Sequence, residues 1–409
     1  MPQFLRRSVQ ISFLNLAIVA VFGVVLRYKI AFSLPFIDQK FFLHAHSHFA
    51  FGGWLTQVLM TFLVLRLCDG PGENSARKYR WVLWGNLACA YGMLISFSIQ
   101  GYGAISIIFS TLSIFVSYFF GVMYWTDSSK AGTFRLVHHC FRIALIALVI
   151  SSAGPFTLAY MMATKHIHQN LYLASVYFYL HFQYNGWFFF SCLGLSFSYF
   201  LKNKSLPASA NTIFILFAGA LLPAFLLSIL WAHIPAWCYA LAVAAVMAQV
   251  VAWFLFIRDL KKNLTQLKKT VTVLVQRLLL LSGLALSVKL LLQAGSVIPS
   301  LSKLAFGFRP IVIAYLHLVL LGVISLFIIG YSLAQGYFSI TRFTRTGIII
   351  FASGIVLNET VLMIQGISAL DYIAIGGVDL LLFVIAIILF LGAVIMASGN
   401  WKKTSTQTS

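Results

Sequence analysis

Apolar runs of about twenty residues recur along the whole chain, and they constrain its fold more than any other feature. A run of this length crosses the membrane as an α-helix, because lipid offers no water to open backbone groups. We therefore expect an all-α polytopic membrane protein with about twelve transmembrane helices. We expect the chain to form one transmembrane helical domain over 1–409, with a short cytoplasmic tail over 399–409. The apolar runs lie near 9–28, 44–66, 81–100, 103–125, 141–163, 172–200, 211–231, 236–257, 277–295, 310–333, 346–367 and 374–398.

Composition agrees with a membrane protein and excludes a soluble one. Hydrophobic residues make up 61% of the chain and charged residues 9%, whereas a soluble domain carries about a quarter of its residues as charges. The net charge of +20 comes from 28 Lys and Arg against 8 Asp and Glu. In a polytopic chain such basic residues mark cytoplasmic loops, so we expect the lipid bilayer as a partner and no nucleic acid.

The distribution of the basic residues predicts the orientation. Arg6 and Arg7 precede the first run, and a cytoplasmic N-terminus places most Lys and Arg in inner loops. An even number of spans then leaves both termini in the cytoplasm. The expected location is the inner membrane of a bacterium.

Six histidines reach a similar depth in the outer half of the membrane under this topology. They are His44, His46, His48, His181, His233 and His317. A buried imidazole is costly without a partner, and neutral imidazole is a common ligand of haem iron and copper. The layer therefore predicts a metal or haem site. His44 and His48 share one helix face and His46 points elsewhere, so only one face can ligate a given iron.

Four short motifs in this layer resemble subunit I of the haem-copper oxidases. They are HAHSHFAFGGW over 44–54, LHFQYNGWF over 180–188, WAH over 231–233 and AYLHLVLLG over 314–322. The resemblance implies twelve helices, with a low-spin haem held by His317 and one of His44, His46 or His48. It implies copper at His181 and His233, and redox chemistry of oxygen or nitric oxide. Electrons would come from a donor protein or a partner subunit.

The chain departs from the family pattern at two positions. Tyr315 stands where the family has the proximal histidine of its high-spin haem. Ile234 stands where helix 7 of the family has a second histidine. Tyrosinate can also ligate haem iron, so Tyr315 is a candidate catalytic residue. Two histidines hold copper well only with a further ligand, for which Tyr184 or water is a candidate. The resemblance therefore does not imply the ordinary binuclear mechanism.

Ionisable residues inside the apolar runs offer further candidate roles. Glu359, Asp379 and Lys289 cost free energy in lipid unless they have a partner or a task. Lys289 can pair with one of the acids, or Glu359 can belong to a proton path to the site. Arg309, at the outer mouth of the tenth run, is placed to pair with haem propionates or to snorkel to the interface.

Two other functions are compatible with the sequence. The histidines of the second and tenth runs are also similar to those of the NnrS family of haem- and copper-containing proteins. That family is associated with the response to nitric oxide, which implies a non-catalytic haem or copper sensor. A proton-coupled secondary transporter would instead use Glu359, Asp379 and Lys289, and it would contain no haem.

Overall fold

A computed structural model describes residues 1–67, 76–130, 135–232, 234–298, 301 and 309–405. The side chains of Lys130, Arg309 and 400–405 are not part of the description. The described residues are helical or form short connections, and they contain no strand. This architecture confirms the expected polytopic all-α class at the level of helices.

A helical segment underlies each of the twelve apolar runs. The first six are α1 (Gln3–Ala31), α2 (Gln39–Leu67), α3 (Tyr79–Gln100), α4 (Ala104–Lys130), α5 (Arg135–Thr164) and α6 (169–202). The second six are α7 (Ala210–Leu221 with Pro223–Ile229), α8 (Ala236–Thr270), α9 (Val273–Ser296), α10 (Pro310–Ala334), α11 (Arg342–Leu370) and α12 (Val378–Ser405).

Ten helices among the described residues are long and apolar enough to cross a membrane. The two parts of α7, which meet at an angle of 45°, make an eleventh if they form one span. The remaining helix, α6, is continuous but carries His181, Gln183 and Asn185 within its apolar sequence. The exact number of membrane crossings therefore stays a prediction.

The chain divides into two compact units, which are described separately. The first contains Met1–Ala131 and Gln335–Ser409, and so comprises α1 to α4 with α11 and α12. Within it α11 packs on α12 through small residues: a Cβ added at Gly347 or Gly392 would meet the backbone of the opposite helix. Such close approach is how helices associate in lipid, where no hydrophobic force drives them together.

The second unit contains Gly132–Ala334 and comprises α5 to α10. Its helices also pack through small residues, with Gly186 of α6 against Ala147 of α5 and Gly322 of α10 against Ala285 of α9. An alanine-rich cluster that includes Ala220 and Ala245 joins α7 to α8.

Large apolar side chains cover the outer surfaces of the helices. In α4 only 17% of the most apolar stretch is buried, and Phe115, Phe119 and Val122 are more than half exposed. A soluble protein rarely exposes continuous apolar surface of this extent. These faces fit contact with lipid, as an integral membrane protein requires.

Candidate functional site

The candidate residues are divided between the two units, and each group is described within its own unit. The first unit holds His44, His46, His48 and Glu359. The second holds His181, Tyr184, Tyr315 and His317. Two further candidates lie outside the described residues: His233 altogether, and Arg309 by its side chain.

Candidate histidines stand one or two positions before the π-helical segments of the described chain. These segments are Ala50–Thr56, Phe182–Phe188 and Leu318–Ser325. The first begins two residues after His48, the second directly after His181 and the third directly after His317. A π-helical segment contains an extra residue per turn, which changes the direction of the side chains around it, and such segments are frequent at functional sites.

The three histidines of α2 face two different helices. The ring of His48 stacks on Phe97 of α3 with centroids 4.4 Å apart, and its Nε2 lies 3.3 Å from the Tyr102 hydroxyl. The ring of His44 meets Tyr102 edge-on at 4.6 Å. His46 instead turns to α1, where its Nδ1 lies 3.0 Å from the carbonyl oxygen of Val19. The helical spacing of the three residues explains this division.

The hydrogen bond of His46 fixes its tautomer. A carbonyl oxygen only accepts, so Nδ1 carries the proton and Nε2 carries the lone pair. Histidine ligands of metals commonly donate their other ring N–H to a backbone carbonyl in this way. His46 therefore has the donor arrangement that suits an axial ligand of haem iron.

His317 of α10 has the same arrangement. Its Nδ1 donates to the carbonyl oxygen of Ile313, one turn earlier, at 2.8 Å. Its Nε2 consequently carries the lone pair that a metal needs. Tyr315 is two residues away and points to a different side of α10. His46 and His317 thus each have the donor chemistry of a haem ligand within their own unit, and their binding of one common haem stays a prediction.

His181 is almost completely buried, and both of its ring nitrogens have partners. Nε2 donates to the carbonyl oxygen of Leu221 at 2.8 Å, and Nδ1 accepts from the amide of Asn185 at 3.1 Å. Leu221 ends the α-helical part of α7 just before Pro223, and the last carbonyls of a helix lack partners within it. A copper ion at His181 would have to replace the Asn185 amide at Nδ1.

Two candidate tyrosines meet in the second unit. The rings of Tyr184 and Tyr315 lie edge-on with centroids 6.0 Å apart, and their hydroxyl groups interact. The Tyr184 hydroxyl also interacts with Ser228 of α7, and the Tyr184 ring lies 6.5 Å from that of His181. The structure therefore brings His181, Tyr184 and Tyr315 together within the second unit, through the contacts of the Tyr184 ring.

Lys289 of α9 is a buried residue whose depth in the membrane was predicted from the sequence, but whose neighbours were not. It is 5% exposed, and it lines a small cavity with Asn185 of α6 and Gln249 of α8. Apolar side chains complete the lining: Phe189, Phe190, Phe217, Leu221, Leu286 and Leu290. The pairing of Lys289 with Glu359 or Asp379 joins residues of different units and stays a prediction.

Glu359 has a hydrogen-bond partner on its own helix. It is half-buried on α11, and its Oε1 accepts a hydrogen bond from the amide of the neighbouring Asn358 at 3.1 Å. That bond is local to the helix, so it does not connect Glu359 to the histidines of α2.

A buried polar network holds the π-helical segment of α2. Asn15 donates to the carbonyl oxygen of Gly53 at 2.6 Å, and Asn86 donates to that of Gly52 at 3.0 Å. The Tyr91 hydroxyl donates to Asn15 at 2.6 Å, and Asn86 also donates to Gln57 at 2.8 Å. Sequence reasoning missed this network. Its only signal was the presence of amide side chains within apolar runs.

The donor and acceptor groups of the individual side chains are the main guide to the function of this chain. In the part of the chain that is described, no three His, Cys, Asp or Glu residues come together as one cluster. Neither a protein-family model nor a curated protein sequence significantly matches the chain.

Proposed function

We propose that this chain is an integral membrane haem protein that resembles subunit I of the haem-copper oxidases. It transfers electrons and binds a diatomic gas, oxygen or nitric oxide, in the inner membrane of a bacterium. The observation that carries the proposal is the coincidence of the three π-helical segments with the histidines of α2, α6 and α10. These are the helices whose motifs resemble the family.

The donor chemistry of two histidines supports a low-spin haem. His46 and His317 each donate Nδ1–H to a backbone carbonyl and keep the lone pair on Nε2. A haem with two imidazole ligands supplies one-electron transfer without a change of ligands. Among the three histidines of α2, His46 is the proposed ligand because its hydrogen bond fixes both the tautomer and the ring direction.

The residues around His181 support a second, divergent site. His181 is held at both nitrogens, and the Tyr184 and Tyr315 hydroxyl groups interact beside it. Copper bound by His181 and His233 would require the Asn185 amide to turn away from Nδ1 of His181. The tyrosine hydroxyls would then hold a proton next to the place where the gas is bound.

An optical spectrum tests the proposal directly. The detergent-purified, haem-supplied protein should show a Soret band and sharp α and β bands after dithionite reduction. We expect His317→Ala and His46→Ala each to lose the sharp reduced bands, because each removes one axial ligand. His166→Ala is the matched control, since His166 lies on an exposed connection between α5 and α6 and should leave the spectrum unchanged.

The alternatives give different results in the same preparation. Carbon monoxide that shifts the reduced Soret band would reveal an open iron and support gas chemistry. Turnover with oxygen or nitric oxide would then separate an oxidoreductase from a sensor of the NnrS kind. A haem-supplied protein without any Soret band would overturn the proposal and favour a transporter that uses Glu359, Asp379 and Lys289.

A further inference from the structure

Lys289 is a buried cation without a counter-charge in its own unit. Asp259 is the only acidic residue between 132 and 334. Its carboxylate already pairs with Arg258 at 2.9 Å and accepts the backbone N–H of Ser209 at 2.8 Å. The described residues give the Lys289 ammonium neither a hydrogen bond nor an ion pair.

An uncompensated ammonium inside a membrane domain is strongly unfavourable. Transfer of one ion into a low-dielectric interior remains costly even after the protein relaxes around it. Lysines within membrane helices are accordingly rare, and they usually have a partner or line a cavity. Lys289 follows the second pattern, because it lines the cavity between α6, α7, α8 and α9.

The polar groups of the cavity can supply several hydrogen-bond donors. Lys289 offers three N–H groups, and Asn185 has a second amide N–H besides the one that it gives to His181. The Oε1 atom of Gln249 is buried without a partner among the described residues. A half-turn of this amide presents its N–H₂ group to the same space. The open space itself is small, so it admits a single monatomic ion and no large polyatomic one.

We propose that this cavity is a binding site for one small monovalent anion of the size of chloride. The anion lies against the Lys289 ammonium and accepts hydrogen bonds from the amides of Asn185 and Gln249. The apolar side chains that close the cavity exclude large polyatomic anions such as gluconate. The proposal does not depend on a haem, since every residue that it uses belongs to the second unit.

Anion-dependent stability tests this site in the full-length protein as purified. Thermal unfolding is followed while sodium gluconate is replaced by sodium chloride or sodium bromide at constant ionic strength. We expect the unfolding midpoint to rise and level off with chloride and with bromide, because an anion that binds only the folded state stabilises it. Gluconate is too large for the cavity and defines the baseline.

Two lysine variants make the test specific. Lys289→Met keeps most of the side-chain volume and removes the charge, so the protein should fold and lose the response to chloride. Lys261→Met removes an exposed lysine of α8 and should keep the response. Equal midpoints in chloride and gluconate for the native protein would overturn the proposal. A chloride response that survives Lys289→Met would overturn it as well.

Discussion

Single buried amides determine how the π-helical segment of α2 is held. Asn15 is fully buried, donates to the Gly53 carbonyl and accepts from the Tyr91 hydroxyl. Asn15→Leu removes the donor from the Gly53 carbonyl and the acceptor from the half-buried Tyr91 hydroxyl. We expect the free energy of unfolding to fall by about 1–2 kcal/mol, measured by reversible unfolding in mixed micelles.

A double-mutant cycle with Tyr91→Phe isolates the bond between the two side chains. In the native background, Tyr91→Phe removes the donor to Asn15 and should cost part of that free energy. In the Asn15→Leu background the same change should cost less, because its partner is already absent. Strictly additive losses would contradict a direct bond between Asn15 and Tyr91.

The residue types of the site could be predicted from the sequence, but their hydrogen bonds could not. Histidines in apolar runs already indicated ligands. The bond from His46 to Val19 joins two helices, so it depends on the register between α1 and α2, which no local pattern encodes. Lys289 was identified by its charge alone. The lack of an acidic partner within its own unit became clear only when the extent of that unit was known.

Small residues at helix contacts should control the packing of α6 on α5. A Cβ at Gly186, within the π-helical segment that follows His181, would overlap the Cβ of Ala147. Gly186→Ala should therefore destabilise the protein by about 1–3 kcal/mol, as overpacking typically does. The measurement is thermal unfolding in detergent, together with the Soret absorbance where haem is present.

Two companions show whether the effect is steric. Gly219→Ala lies on α7, where an added Cβ meets no atom within 4 Å, and it should be neutral or slightly stabilising. Ala147→Gly in the Gly186→Ala protein removes the overlapping methyl group and should restore much of the stability. If this second change fails to help, the overlap between α5 and α6 is not the cause.

Helix positions were more predictable than helix irregularities. Hydrophobicity alone placed each of the twelve apolar runs on a helical segment, because lipid forces the backbone to bond within itself. The π-helical segments were missed. Each needs only one extra residue, so the surrounding apolar sequence keeps no periodicity that would reveal it. The amides that hold Gly52 and Gly53 act across helices and are equally hidden.

At the scale of the whole molecule, the apolar outer surface supports an integral membrane protein, and the basic loops predict how it is oriented. With both termini in the cytoplasm, the C-terminal end of α8 lies inside and the connection between α5 and α6 lies outside. Thr265 and Ile167 are exposed at these two places.

In a background without reactive cysteine, a membrane-impermeant maleimide should label Ile167→Cys on intact cells. It should label Thr265→Cys only after the membrane is permeabilised. The reverse pattern would invert the topology and place the histidine layer in the cytoplasmic half of the membrane.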